Sequence, residues 1–389
     1  MQKIKEIFTS IAILLITIEV FSFVAIKYFN YTNIWYKYPT YTYWGPTIKE
    51  NYDPLGPHYI DTDAVSWATW HIPNTTIRHK GDCYDVNMQF NSIGARGALP
   101  AKTDTNTTIF LGDSFIEGFA LAENETIPAQ YSVFKKVPTL NLGGGGSFGS
   151  TQMAMIYDSL APQFKHKNVI LCLYLDNDFI DDNIDYAYKN RYRPYLVKDS
   201  ESQSFSLVYK DSLKLSIAKE GSYTKGQMVE KISKYSISDY FNQKEKSSLN
   251  KLVSLTFSAR LFTELYYRAN AKKREPQEVT FSQPNIDILR YNLQKIAKMA
   301  ALQNANFYVL NIPSKNLLNE LAQKPEYKLK IDFLIKKSLS GQKFHYLDFT
   351  QHLMDKNVKL NEIYFNCDSH FNPKGAFIMA EYLLYHTNF

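Results

Sequence analysis

The sequence predicts an α/β protein: a three-layer sandwich with a mostly parallel sheet, joined to one N-terminal transmembrane helix. Three observations carry this. From residue 107 onward, short β-rich runs alternate with segments of helical periodicity, the rhythm of strand–helix–strand units. One of those runs, NVILCLYLDND (168–178), is continuous in Val, Ile and Leu, as a strand buried on both faces must be. The chain also opens on a run of about 20 largely apolar residues, Ile7 to Ile26, behind Lys3 and Lys5.

That opening run is long enough to cross about 30 Å of hydrocarbon as a helix. Thr9, Ser10, Thr17 and Ser22 are tolerated there, whereas a charged Glu19 near the bilayer centre costs about 2.5–3.5 kcal/mol. A cleavable signal peptide, with Val20 and Ser22 as the cleavage pair, is the competing reading. The apolar run continues past that pair, which favours an uncleaved anchor over residues 1–27. Lysines at the extreme N-terminus put that end inside and the body outside, so an extracytoplasmic domain, periplasmic or at the cell surface, is expected. Residues 28–84 form an aromatic-rich juxtamembrane lead-in. Its first part, YFNYTNIWYKYPTYTYWGP (28–46), reads as an aromatic belt at the membrane surface, the rival being rings that stack on sugars. Turn signals such as DPLGP and HIPN make residues 47–106 an irregular stretch packed against the core.

The regular domain spans 85–389. TTIFLGDS (107–114) is a first strand ending in a turn, and ETIPAQYSVFKK (125–136) suits a helix with Pro128 in its first turn. PTLNLGG is a second strand, STQMAMIYDSLAPQF a second helix, and 168–178 the third strand. Regularity lapses over 189–284, an insertion or cap in which RPYLVKDSESQSFSLVYKDSLKLSI reads as a hairpin. The rhythm returns with a helix at NIDILRYNLQKIAKMAALQ, a strand at NFYVLNIPS, a helix at KLKIDFLIKKSLS and a strand at FHYLDFT (344–350). A last helix, PKGAFIMAEYLLYH (373–386), has Asn372 as its cap and Pro373 at its first position, with Phe377, Ala380, Leu383 and Leu384 on one face.

Composition narrows the function classes. Hydrophobic content of 45% against 21% charged is ordinary for a globular protein, which sets aside wholesale disorder. The net charge of +6 is spread over many lysines with no dense basic run, so no nucleic-acid partner is expected. Cys172 lies in an apolar run as a small buried hydrophobe, while Cys83 and Cys367 are candidates to pair in an oxidising compartment. No CxxC or His-x-x-x-His spacing supports zinc. The acidic cluster Asp176, Asp178, Asp181, Asp182 and Asp185 lacks the spacing and glycine of a calcium loop, so no metal is expected.

The glycine run NLGGGGSFGST (141–151) contains Gly144-x-Gly146-x-x-Gly149, which matches a dinucleotide-binding turn. That motif belongs after the first strand, with an acidic residue about 20 positions further on. Here an earlier strand ends in GDS, and Asp176 lies 27 residues beyond Gly149. No cofactor is therefore expected. The glycines are expected instead to bring backbone N–H groups close to a reacting carbonyl.

Ligands of open α/β sheets bind outside the carboxyl ends of the strands. Four segments reach that edge: GDSF (112–115), the glycine run, DNDF (176–179) and CDSHFNPKG (367–375). Singly they are a helix cap, a turn, a turn and a surface histidine. Jointly they supply acyl-transfer chemistry. Ser114 can be a nucleophile, His370 the base that takes its proton, and Asp368 the carboxylate that fixes the imidazole. The Ser114 and Gly146 backbone N–H groups and the Asn177 amide can form an oxyanion hole.

These segments resemble the four blocks of the SGNH/GDSL hydrolase family. FLGDSFIEG is similar to the first block, NLGGGGSFGSTQ to the second, YLDNDFIDDN to the third and DSHFNPKGA to the last. FNSIGARG (90–97) resembles a segment preceding the first block in a bacterial, often membrane-anchored subgroup. The resemblance implies a flavodoxin-like hydrolase fold over roughly 85–389, Ser114 as nucleophile, His370 with Asp368 as its base, and Gly146 and Asn177 as oxyanion donors. Two departures stand out: Leu175 takes the usual glycine place of the third block, and only Ser369 separates Asp368 from His370 where two residues are common. The expected activity is a serine esterase removing acyl groups, O-acetyl above all, from a cell-envelope glycan or a small ester. An O-acyltransferase using the same residues to modify a surface polysaccharide, and a non-catalytic anchored glycan-binding module, are the alternatives.

Overall fold

The computed structural model describes residues 2–28, 59–61, 66, 67, 69–71, 73–80, 83–145, 148–185, 193–199, 201, 204–209, 256–259, 261, 262, 265, 281–323, 325–366 and 368–387. The chain begins with α1 (Gln2–Tyr28), whose stretch Lys5–Ala25 is long and apolar enough to cross a membrane. Most of its described side chains are exposed. Of the aromatic segment, residues 29–46 lie outside the described residues.

Next come two antiparallel pairs, β1 (Tyr59–Asp61) with β2 (Thr69–His71) and β3 (Thr75–Lys80) with β4 (Asp85–Phe90). Where it is described, the stretch expected to be irregular thus contains paired strands. It also enters the core: Trp67 and Trp70 are buried edge to face, and Trp70 Nε1 donates to the Ile93 carbonyl at 2.7 Å.

The regular domain then runs β5 (Thr108–Gly112), α2 (Ser114–Glu117), α3 (Ile127–Lys135), β6 (Thr139–Gly143), α4 (Ser150–Leu160) and β7 (Asn168–Tyr174). The hairpin expected near 193–217 is present as β8 (Pro194–Lys198) and β9 (Phe205–Tyr209). After it follow α5 (Gln283–Leu302), β10 (Asn306–Ile312), α6 (Lys315–Gln323), α7 (Pro325–Ser338), β11 (His345–Leu347), α8 (Phe349–Asp355), α9 (Leu360–Ile363) and α10 (Pro373–His386). Five strands make one sheet in the order β6-β5-β7-β10-β11, and every pairing in it is parallel. Numbered along the chain this is the 2-1-3-4-5 order of flavodoxin-like sheets, with its switch point between β5 and β7.

Alternation along each strand sorts side chains to the two faces. Val169, Leu171 and Leu173 of β7 pack with α4, α5 and α7 through residues such as Ile156, Leu293 and Ile335. Ile170, Cys172 and Tyr174 pack on the other side with α3, α8 and α10 through Tyr131, Leu353 and Met379. Both faces are covered, giving the three layers, which is why β7 is buried at every position.

Two local expectations change. The strand expected over 344–350 stops at Leu347, because Asp348 turns the chain and caps α8, accepting from Gln351 N at 2.9 Å. On α10 the buried face is Ala376, Met379, Ala380 and Leu383, while Phe377 is exposed and meets the ring of Phe134 at 5.3 Å. Cys172 is free and buried, and Cys83 is disulfide-bonded. Cys367 lies outside the described residues.

Candidate active site

Ser114 follows β5 at the switch point as the first residue of α2. The Asp113 side chain caps that helix, accepting from Phe115 N at 3.0 Å, so the turn that presents Ser114 is closed by its own sequence neighbour. As the first helical residue, Ser114 has an N–H with no intrahelical acceptor. Its side chain is nearly buried, the residue being 8% exposed.

His370 and Asp368 arrive from the far end of the chain, just before α10. The Ser114 Oγ lies 2.7 Å from His370 Nε2, and the other ring nitrogen, Nδ1, donates to Asp368 Oδ1. The same carboxylate oxygen accepts the His370 backbone N–H at 2.8 Å. The single residue between Asp368 and His370 therefore does not prevent the contact: a tight turn lets one oxygen hold both ring and backbone. With Nδ1–H committed to Asp368, Nε2 is left to accept the Ser114 hydroxyl proton. Phe119 stacks on the imidazole at 4.2 Å between centroids, and Phe115 flanks it at 4.9 Å, which fixes the ring plane.

Electrostatics support a basic imidazole. Burial alone would lower the His370 pKa, but the Asp368 carboxylate outweighs it, helped by Asp113 and Glu117, and the pKa is raised. Burial likewise pushes against ionised Asp368, and the histidine beside it wins, holding that carboxyl below its ordinary value. Asp113 is different: burial lifts its pKa to about 6, against the opposing pull of its bond from Phe115 N and of His370.

The glycine run is built against this turn. A Cβ on Gly143 would sit 2.2 Å from the Glu117 backbone nitrogen, so the second strand touches α2 main chain to main chain. Asn141 ties the two together, its amide donating to Ile116 O at 2.8 Å while its Oδ1 accepts from Gly143 N at 2.9 Å. Gly146 lies outside the described residues. The C-terminal end of the glycine loop is pinned by Asp182, which accepts Ser150 Oγ at 2.5 Å and Thr151 N at 3.1 Å. Asn292 of α5 donates to the Ser150 and Thr151 hydroxyls, both at 2.9 Å. Burial raises the Asp182 pKa, against its bond from Ser150 and the nearby Arg193 charge.

Asn177 stands in the turn after β7, across the switch point from Ser114. Asp178 closes that turn by accepting Tyr174 N at 2.8 Å, and the Asn177 carbonyl receives Ile180 N and Asp181 N, both at 2.8 Å. The Asn177 side-chain Oδ1 is buried with no hydrogen-bond partner. Among the described residues no group of three or more His, Cys, Asp or Glu is arranged to hold a metal ion.

Several supporting residues escape sequence reasoning. Lys315, at the start of α6, donates to Phe365 O at 2.6 Å and Asp368 O at 3.1 Å, bracing the turn that carries the histidine. Arg96, fully buried, donates to Gly118 O at 2.6 Å and Leu121 O at 2.5 Å, bracing the chain beyond α2. Its only sequence signal is its place in FNSIGARG. The buried pair His71 Nε2 and Glu117 Oε1, 3.2 Å apart, lies behind the nucleophile turn. No local pattern marks it, since its partners are 46 residues apart.

No family model matches the sequence, and no curated protein matches it. Among solved structures, a chain assigned to the G-D-S-L lipolytic family from Desulfitobacterium hafniense DCB-2 is similar at 13% identity and a TM-score of 0.36. The match covers 73% of this chain and 100% of that one.

Proposed function

We propose that the protein is a serine esterase of the SGNH type that removes acyl groups, O-acetyl above all, from a glycan of the cell envelope. One observation carries the reading: the Ser114 hydroxyl and the His370 imidazole, 256 positions apart in sequence, are 2.7 Å apart in space, with Asp368 on the far ring nitrogen. Ser114 Oγ passes its proton to His370 Nε2 and attacks the ester carbonyl. The oxyanion that forms is received by the Ser114 N–H, with the Gly146 N–H and the Asn177 amide as the other donors. His370 then protonates the departing alcohol, and the acyl group stays on Ser114. A water deprotonated by His370 attacks that acyl-enzyme, releasing the acid and restoring the serine.

The body is proposed to face an extracytoplasmic compartment. Lys3 and Lys5, ahead of the apolar stretch of α1, support that orientation, and the disulfide at Cys83 supports an oxidising surrounding. The test is turnover of an acetyl ester by the full chain, with and without an acetylated or acetyl-free oligosaccharide. Acetate release that Ser114→Ala abolishes, and that acceptor sugar does not divert, is expected. Acetylated sugar formed at the expense of free acetate would instead assign the site to acyl transfer. A wild type that releases no acetate and forms no acetylated sugar would count against both.

A further inference from the structure

Glu19 is the one charged residue in the apolar run Ile7 to Ile26, and it does not face lipid alone. Its carboxylate accepts Phe257 N at 2.7 Å, Ser258 N at 3.2 Å and the Ser258 hydroxyl. These donors belong to the insertion, more than 230 residues away, where residues 257–259, 261, 262 and 265 are helical. The contact continues along one face of α1. Ser22 and Ala25, one and two turns beyond Glu19, are buried, and Phe23 meets the Phe257 ring edge-on at 5.1 Å. Further along the same stretch the side chains are open: Phe262 is 64% exposed and Leu265, one turn on, 41%.

Depth decides what those open side chains meet. The apolar stretch of α1 ends at Ala25, six residues beyond Glu19, which is about 9 Å along a helix. The whole stretch, Lys5–Ala25, is about 31 Å long, which matches the hydrocarbon thickness and leaves little room to slide it outward. A main chain bonded to Glu19 is therefore drawn below the membrane surface. The surrounding sequence, LVSLTFSARLFTELYY (252–267), is apolar and aromatic, with Arg260 and Glu264 its only charged residues. We propose that the helical residues 257–259, 261, 262 and 265 form a second membrane-embedded element, docked on α1 through Glu19, with Phe262 and Leu265 in contact with lipid acyl chains. The proposal rests on α1 crossing the bilayer and is independent of the chemistry at Ser114. It makes α1 part of the folded body rather than a removable leader, and it holds the insertion at the membrane surface.

The full chain in phosphatidylcholine vesicles tests this with an environment-sensitive fluorophore on Phe262→Cys; among the described residues the free thiol is Cys172, which is buried. Matched labels on Leu15→Cys in α1 and Val133→Cys on the exposed face of α3 report the anchor and the aqueous body. The label at 262 is expected to lose emission to nitroxides on lipid acyl chains and to resist aqueous iodide, as the label at 15 does and the label at 133 does not. Glu19→Ala should move the 262 label to the iodide-accessible state while the 15 label stays in lipid, and Glu19→Gln, which keeps one acceptor oxygen, should move it less. A 262 label open to iodide in the wild type overturns the proposal. If the 15 label is open as well, the anchor reading falls with it. Shielding of the 262 label from both quenchers would mean protein rather than lipid covers it, and a 262 label that stays in lipid in Glu19→Ala would remove Glu19 as the tether.

Discussion

At the scale of single residues, the proposed chemistry depends on Asp368, which stays ionised and holds the proton on His370 Nδ1. Asp368 raises the His370 pKa above the ordinary value of about 6.5, and only the neutral ring can take the Ser114 proton. Activity therefore rises with pH through that raised pKa, and the acid limb of kcat/KM should lie above about 6.5. Asp368→Asn removes the cause of the elevation. It should lower kcat by about 10²–10⁴-fold and move the acid limb to lower pH. An unmoved limb would separate Asp368 from the titrating group. Asn177 offers a second residue-scale prediction. Its Oδ1 has no partner to lose, so Asn177→Ala should lower kcat by about 10²–10³-fold while leaving the thermal midpoint close to wild type. A large loss of stability with unchanged turnover would make it a structural turn residue.

At the scale of elements, the nucleophile turn and the glycine strand are one packed unit. Gly143→Ala would push a methyl into the Glu117 backbone, at a cost of about 1–3 kcal/mol and with displacement of Ser114. Urea unfolding and ester turnover should both register it, and a neutral substitution would show that the contact can relax. Asn372 caps α10, accepting Gly375 N at 3.0 Å and donating to Glu362 O at 2.8 Å. Asn372→Ala should cost about 0.5–2 kcal/mol in the same unfolding experiment. Elements with strong local signals were legible in the sequence. The α10 boundaries follow from Asn372 and Pro373, and β7 from its unbroken run of Val, Ile and Leu. Elements whose signal is tertiary were not. Trp67 and Trp70 join the core from a stretch full of turn residues, because burial against Ile93 and the glycine loop, not periodicity, orders them. On α10 the expected Ala380 and Leu383 are in the core, while Phe377 finds Phe134 at the rim and Met379 takes a core place.

At the scale of the whole molecule, the chain joins a helix long and apolar enough to cross a membrane, a parallel sheet and a candidate site assembled from both ends of the domain. The convergence of Ser114, Asp368 and His370 was legible, because residues at the carboxyl edge of a parallel sheet converge whatever their sequence separation. Their braces, Lys315, Arg96 and the His71–Glu117 pair, were not, since each acts through backbone carbonyls or through a partner that no motif marks. The disulfide at Cys83 ties down the residue before Tyr84, whose ring packs on Phe119 and Phe365 around the histidine. Cys83→Ser should therefore cost about 2–4 kcal/mol of stability, measured by thermal unfolding, and slow turnover as the wall beside His370 loosens.

The most direct measurement on the central claim is covalent labelling of the full chain by a serine-directed fluorophosphonate, with the adduct mapped by mass spectrometry. A serine activated by His370 and Asp368 should take the label on Ser114, with a rate that rises with pH as the imidazole loses its proton and that collapses in His370→Ala. Absence of an adduct on wild-type Ser114, or equal labelling in Ser114→Ala, would contradict the account.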